Sequence, residues 1–325
     1  MQKSKIFDIQ SKTDFKKISL EIFEFQYKNN KTYQDFCNHL HKTPNNVQQL
    51  EDIPFLPIEF FKSHRILSEN KPIEITFTSS GTTGNKTSKH LVTDLDIYEQ
   101  SFEKAFQQFY GAAEDITILA LLPSYLEREG SSLIYMAEHL IQKSQKKESG
   151  FYLHNLEELK YKLIELDKKG EKTLLIGVSF ALLDLVENHQ FELKNTIVME
   201  TGGMKGRRKE MIREELHTIL AKGFGVSSIH SEYGMTELLS QAYSKGNGVF
   251  ECPPWMDLII RDPEDALTTV KSGKTGGINV IDLANINSCS FIATQDLGKI
   301  NKDGTIEILG RFDNSDIRGC NLMVL

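Results

Sequence analysis

The chain has 325 residues, 39% of them apolar and 26% charged, with a net charge of −7 when histidine is counted neutral. That length holds a substantial core with two lobes, and the composition is that of an ordinary soluble globular protein. The acidic balance, with no basic block and no apolar run long enough to cross a bilayer, argues against nucleic acid as the main partner and against a membrane span.

Residues 1–70 read as a helical N-terminal region packed on the main domain. Met1-Gln2-Lys3-Ser4-Lys5 has no apolar core behind it, so it is not a secretory signal. Phe15, Ile18, Ile22 and Phe25 recur at helical spacing, Asn29-Asn30 breaks the helix, and a second is expected over 33–41. In Ile53-Pro54-Phe55-Leu56-Pro57-Ile58-Glu59-Phe60-Phe61 two prolines disfavour a helix, so a stiff extended arm wrapped on another lobe is expected. Residues 71–250 read as an α/β nucleotide-binding domain. Strands are expected at 73–77, 116–122, 173–178, 196–199 and 226–230, and helices at 95–109, 133–141, 180–186 and 211–220. The last helix is expected to present Ile212, Leu216, Ile219 and Leu220 on one side. Strands alternating with helices predict a largely parallel sheet flanked by helices. From 251 to 325 the helical period fades and short strands at 257–260, 278–281, 290–293 and 305–309 predict a smaller β-rich subdomain ending in a hinge-like tail.

In such sheets ligands bind beyond the carboxyl ends of strands, so the loops after strands are where chemistry is expected. The first is Thr78-Ser79-Ser80-Gly81-Thr82-Thr83-Gly84-Asn85-Lys86-Thr87-Ser88-Lys89-His90. Its glycines permit backbone angles other residues resist, and successive amides in such a turn form an anion-binding nest. With hydroxyls, Lys86, Lys89 and His90 alongside, that chemistry suits a polyphosphate. It is not the G-x-x-x-x-G-K-[ST] loop, because Lys86 stands where the second glycine belongs. Glu200-Thr201-Gly202-Gly203 follows a strand, and its paired glycines let a planar ligand approach closely. In Tyr233-Gly234-Met235-Thr236-Glu237 the Thr236 hydroxyl can donate to a phosphate and Glu237 can bind magnesium. Asp296, in Thr294-Gln295-Asp296, suits ribose hydroxyls, and Arg311, in Gly310-Arg311-Phe312-Asp313, can bridge ribose and phosphate. The loop 124–132 is the candidate for the acyl side of the pocket. Alone, each motif has an ordinary structural reading as a turn, a helix-start carboxylate or a surface ion pair.

Together, in this order over residues 77–313, they resemble the motifs of the adenylate-forming superfamily: its phosphate loop, its adenine and magnesium motif, its ribose-binding T-G-D with Gln295 for glycine, and its hinge. Within it the chain is most similar to the acyl-protein synthetases of bacterial luminescence (LuxE-like), with the phenylacetate-CoA ligases next. Residues 53–61 and 122–133 share that likeness. The superfamily loop has a lysine at the position of Thr87, so Lys86 and Lys89 are both candidates for meeting phosphate.

The resemblance implies the superfamily's N-terminal α/β domain without its mobile C-terminal domain, and a two-step, AMP-forming ligase in a reducing cytoplasm that uses ATP and Mg2+. A carboxylic acid, a fatty acid by the same likeness, becomes an acyl-adenylate and then an acyl thioester. Ser79, Ser80, Gly81, Thr82, Thr83, Gly84, Lys86, Lys89, Gly202, Gly203, Tyr233, Gly234, Asp296 and Arg311 are expected to hold the nucleotide, with Thr236 and Glu237 catalytic and Glu237 on the metal.

The four cysteines include no C-x-x-C pair, so neither a disulfide framework nor a zinc site is indicated. The family carries its acylated cysteine close to the C-terminus, the position of Cys320 here, with Arg318 nearby to lower its pKa. An inert thiol in a C-terminal strand is the plainer reading of Cys320. The final acceptor implied is a partner acyl reductase. Two other functions fit the same motifs: an acyl-CoA or carrier-protein ligase that needs a partner polypeptide, and a non-catalytic nucleotide-binding subunit.

Overall fold

The runs Thr117–Leu121 and Thr173–Val178 are buried at every residue, as strands covered on both faces must be. They lie at the heart of the fold. The computed structural model describes residues 4–79, 87–123, 130–202, 208 and 211–311. Its elements in chain order are α1 (Ser4–Phe7), α2 (Lys12–Asn29), α3 (Lys31–His39), β1 (Leu56–Pro57), α4 (Phe60–Ser63), β2 (Ile75–Thr78), β3 (Lys89–Val92), α5 (Leu95–Tyr110), β4 (Thr117–Leu121), α6 (Ser132–Ser144), β5 (Gly150–Phe151) and α7 (Leu156–Lys168). They continue with β6 (Thr173–Val178), α8 (Ser179–Asn188), β7 (Thr196–Thr201), α9 (Arg213–Phe224), β8 (His230–Tyr233), β9 (Ala242–Ser244), β10 (Val249–Glu251), β11 (Met256–Arg261), β12 (Thr275–Asp282), β13 (Phe291–Ile300) and β14 (Ile306–Arg311).

One sheet runs through the molecule in the order β11-β12-β13-β14-β10-β9-β8-β7-β6-β4-β5. The strands β5, β4, β6, β7 and β8 pair in parallel, joined by helical crossovers as parallel pairing requires. From β8 to β9 onward the pairing is antiparallel through to β11. The antiparallel strands alternate: Met256, Leu258 and Ile260 are buried while Asp257, Ile259 and Arg261 are only half covered. Strands β9 and β10 stand between β8 and β14 in this order, yet the end of β8 meets β13 through the Tyr233 hydroxyl, 2.8 Å from Asp296. No described helix is long and apolar enough to cross a membrane.

The N-terminal helices are tied to the sheet by polar side chains. Ser11 caps α2 by accepting from the Asp14 amide at 3.1 Å. Asn30 ends α2 and caps α3, its side chain accepting from the Tyr33 amide and donating to the Ser288 carbonyl. Buried Gln26 donates to the Asn285 and Ile286 carbonyls, both at 3.0 Å. On α2 the inward face is Phe15, Ile18, Ile22 and Phe23; Phe25 is only half covered.

Three elements depart from expectation. The helix expected at 211–220 begins at Arg213 and buries Leu216, Leu220 and Phe224, leaving Ile212 and Ile219 exposed. The reason lies at Gly223: a β-carbon there would stand 2.4 Å from Val186 Cβ, so α9 crosses α8 along the line that Gly223 opens. The strand expected at 226–230 lies at His230–Tyr233, so Ser231, Glu232 and Tyr233 are sheet residues rather than loop residues. Finally, β2 does not join the main sheet. It forms an antiparallel ribbon with β3, Thr78 opposite Lys89 and Phe77 opposite His90.

Candidate active site

The glycine-rich stretch is held at its neck by this ribbon. Beyond the last β2–β3 pair the Ser79 amide donates to the Ser88 carbonyl at 3.2 Å, and the Ser88 amide donates to Ser79 Oγ at 2.9 Å. Ser80, Gly81, Thr82, Thr83, Gly84 and Lys86 lie outside the described residues, as do Gly203, Cys320 and most of the loop 124–132. Lys89 is exposed at the ribbon's edge, whereas His90, its neighbour on the opposite face, is 1% exposed.

His90 joins the ribbon to the second motif. Its Nδ1 lies 2.9 Å from the Thr236 carbonyl, and because a carbonyl only accepts, Nδ1 carries the proton. Nε2 is then an unprotonated acceptor, buried without a hydrogen-bond partner among the described residues. Burial pushes the imidazole down to about 4, against the opposing pull of the Thr236 carbonyl.

The signs give a pH prediction. Below the ordinary value of 6.5 the unfolded chain takes up a proton that the folded chain refuses until about 4. Stability is therefore fully present above 6.5 and is lost as pH falls through that window, by up to about 3 kcal/mol for this residue. Half-buried His230, also pushed down to about 4 by burial and by Lys245, adds in the same direction. Urea midpoints followed from pH 7.5 to 4.5 are expected to fall in the wild type and to fall less in His90→Asn, which keeps a donor for Thr236. Equal slopes would show that His90 is not buried neutral.

Glu237 sits next to that carbonyl. It is 5% exposed, and its own carbonyl accepts from Asn285 Nδ2 at 2.7 Å. Burial raises its carboxyl above the usual range, opposed by a hydrogen bond from the Ser88 side chain and by the charges of Arg311 and Lys62. The residues after it are pinned by a fully buried carboxylate: Asp282 accepts from the Leu239 and Ser240 amides at 2.7 and 3.0 Å and from Ser240 Oγ at 2.6 Å.

The third and fourth motifs meet across a strand pair. Asp296 on β13 is in register with Arg311 on β14. Asp296 Oδ2 accepts from the Tyr233 hydroxyl at 2.8 Å, and its Oδ1 lies 3.8 Å from Arg311 Nε, whose side chain is 86% exposed. Burial raises the Asp296 carboxyl, while Tyr233 and three arginines oppose. The structure thus brings together Ser79, Ser88, Thr236, Glu237, Tyr233, Asp296 and Arg311 at one edge of the sheet.

Of four further acidic or basic residues near this edge, Glu200 and Glu232 adjoin the motifs, and Arg213 and Lys62 carry none. Buried Glu200, at the end of β7, lies 3.5 Å from both Arg213 Nε and His217 Nε2 and accepts from Ser179 Oγ at 3.3 Å. Burial pushes that carboxyl up, but His217, the Arg213 charge and Ser231 more than offset it, and the group is held low. Ser179 Oγ also donates to the Gly202 carbonyl at 2.7 Å, where Gly202 has φ +64°. Glu232 accepts from the Thr201 hydroxyl. Burial raises it to about 7; the Thr201 bond opposes this and the Glu200 charge adds to it. Its Oε1 lies beside Gly234, 2.3 Å from where a β-carbon would stand, so a larger residue there would have to displace the Glu232 carboxylate. Arg213 donates to the Ile308 carbonyl of β14, and Lys62, on the N-terminal arm, is close enough for its charge to act on Glu237. Local sequence pattern could not find Arg213 and Lys62, since each is recruited by contacts distant in the chain.

Comparison with known proteins bears on the family and the fold. Residues 5–128 and 131–325 match the family model "Acyl-protein synthetase, LuxE". The chain is similar to long-chain-fatty-acid–luciferin-component ligases of Aliivibrio fischeri and Vibrio harveyi. Each is 23% identical, covering 94% and 92% of this chain and 86% and 84% of the relatives. Among solved structures, a 2-hydroxyisobutyryl-CoA ligase in complex with 2-HIB-AMP and CoA superposes with TM-score 0.66 at 13% identity, over 93% of this chain and 70% of that one. ATP-bound MatB from Rhodopseudomonas palustris superposes with TM-score 0.55 at 16% identity, over 90% of this chain and 61% of its own length. The fold is that of the adenylate-forming ligases, and the family model spans nearly every residue: the chain belongs to the LuxE acyl-protein synthetase family.

Proposed function

We propose that the protein activates a fatty acid with ATP and passes the acyl group to a cysteine thiol, Cys320, before a partner such as an acyl reductase receives it. Family membership makes the chain an ATP-dependent, AMP-forming acid ligase. The observation that carries the finer reading is the convergence of the Ser79–Ser88 neck, the Thr236–Glu237 turn and the Tyr233–Asp296–Arg311 set at one sheet edge.

In the first step a carboxylate oxygen of the acid attacks the α-phosphorus of ATP, forming a C(O)O–P bond as the bond to pyrophosphate breaks. Tyr233, Gly202 and Gly234 are assigned to the base, as is Gly203, which follows Gly202 in the sequence. Asp296 accepts from ribose hydroxyls, while Arg311 lies across the strand pair to reach ribose or phosphate. Ser79, Ser80, Gly81, Thr82, Thr83 and Gly84, with Lys86 or Lys89, face the phosphates, and Thr236 donates to a phosphate oxygen. Among the described residues no three acidic, histidine or cysteine side chains cluster to hold a metal. A lone buried carboxylate such as Glu237 nonetheless fits magnesium, which takes one or two carboxylates and draws its other ligands from substrate phosphates and water. When bound there, the ion would offset charge on the phosphates.

In the second step a thiolate attacks the acyl carbon of the mixed anhydride, the C–S bond forms, and the C–O bond to AMP breaks.

The test is fatty-acid-dependent exchange of labelled pyrophosphate into ATP, followed by counting acyl label on the denatured protein before and after neutral hydroxylamine. Exchange with hydroxylamine-labile label is expected. Exchange without label, and AMP release only when CoA is added, would transfer the second step to an outside acceptor, as in a CoA ligase such as the solved neighbour. Nucleotide binding with no exchange for any acid would leave a binding subunit.

A further inference from the structure

The arm at 53–64 does more than wrap the core. β1 pairs in parallel with β13 at Leu56–Ile292 and Pro57–Ala293, and the Ile58 amide donates to the Ala293 carbonyl at 3.0 Å. The arm is thus laid along the strand that, three residues on, presents Asp296. Two further contacts fix where it leaves that strand. Gln295, which stands where the superfamily motif has glycine, donates from its side-chain amide to Glu59. Phe61 is buried, and its ring meets the His90 ring edge-on at 5.7 Å, the same His90 that holds the Thr236 carbonyl.

Lys62 follows these anchors directly on α4. Its side chain is exposed, and it makes no ion pair within 4 Å among the described residues. It is close enough for its charge to act on Glu237, as does that of Arg311. An exposed ammonium with no ion-pair partner among the described residues keeps its donors available to an anionic ligand.

Resting on the reading of this edge as a nucleotide site, we propose that Lys62 is a phosphate-binding residue of the active site, delivered by the N-terminal arm. The ligand class is a nucleoside triphosphate, and the contact is a charge-assisted hydrogen bond from Nζ to a non-bridging phosphate oxygen. The arm is then part of the active site, and the Gln295–Glu59 bond positions it.

The experiment measures dissociation constants of ATP, AMP and adenosine for the full chain and for Lys62→Met and Lys62→Arg, alongside melting temperatures. Lys62→Met is expected to weaken ATP by about 10- to 100-fold, the loss of one charge-assisted bond. Adenosine should move less than about twofold and the melting temperature should not change. Lys62→Arg should recover most of the ATP affinity and the salt dependence. Unchanged ATP binding in Lys62→Met would overturn the assignment while leaving the nucleotide site intact. So would an equal loss of ATP and adenosine with a lowered melting temperature, which would mark a structural residue. Absence of ATP binding in the wild type would overturn the underlying site as well.

Discussion

Replacing Glu237 by glutamine is expected to lower fatty-acid-dependent pyrophosphate exchange about 100- to 1,000-fold, while the melting temperature stays at or above that of the wild type. The two effects share one cause. Glu237 is 5% exposed, and burial pushes its carboxyl above the usual range despite Ser88, Arg311 and Lys62. The charged form is thus held against its own preference in the empty fold, so removing the charge relieves the structure. Glutamine is nearly isosteric and still accepts from Ser88, so no cavity opens. What is lost is the negative charge that the nucleotide-bound site uses. A stabilised but inactive variant is the signature of a residue kept for function at a cost to stability. Thermal unfolding and exchange assays on the same preparation check it. A fall in melting temperature with activity retained would make Glu237 a structural carboxylate.

Much of this site was legible because its residues come in short local motifs. Thr236-Glu237, Asp296 and Arg311 are each flanked by turn-forming glycines or strand ends, and their chemistry is carried by residue type. The parallel core was legible for a related reason: residues 117–121 and 173–178 are apolar but for Thr117, Thr173 and Gly177, so length and composition mark them as buried strands. What stayed hidden depends on register. Glu232 and Ser231 read as loop until β8 pairs with β7 over Met199–His230, Glu200–Ser231 and Thr201–Glu232; only that pairing brings Thr201 to the Glu232 carboxyl. The ribbon of β2 and β3 was half visible, since the neck is closed by Ser79 and Ser88 across a stretch of glycines whose spacing says little about its partner strand. Lys62 carries no motif, and Glu59 lies in a stretch marked only by its prolines and its family likeness. They come near the candidate site because β1 lies along β13, a pairing between residues over 230 apart in the chain. Helix faces failed where a neighbour intrudes, as at Gly223 and Val186, because periodicity describes one helix and not what crosses it.

Replacing Cys320 by serine is expected to remove essentially all hydroxylamine-labile acyl label, about 100-fold or more, while pyrophosphate exchange stays within about twofold of wild type. The other three cysteines make poor nucleophiles. Burial pushes the Cys37 thiol up to about 12, and Cys289, fully buried, is pushed up further. Cys252 is likewise raised well above the ordinary value by burial, with Asp257 and Asp282 adding their negative charge. Thiolate is the reacting species, and a thiol held at those values is almost wholly protonated at neutral pH. Each is also packed beside other groups, Cys289 donating to the Phe291 carbonyl at 3.4 Å. Acylation at Cys37 or Cys289 would require opening the core, whereas Cys252 is half-buried and is disfavoured by its raised pKa. Cys320 lies outside the described residues, with Arg318 two positions before it in the sequence to favour its thiolate. Adenylation forms and breaks bonds only at the acid and the α-phosphate, so it needs no thiol. This is why exchange should survive the substitution while transfer does not. Peptide mapping of the labelled wild type should place the acyl group on Cys320, and Cys252→Ser should label normally. Label that persists in Cys320→Ser as a hydroxylamine-labile thioester, or that maps to Cys252, would move the nucleophile. A stable, hydroxylamine-resistant ester in Cys320→Ser would instead support the position, since the serine oxygen would then be acylated where sulfur had been.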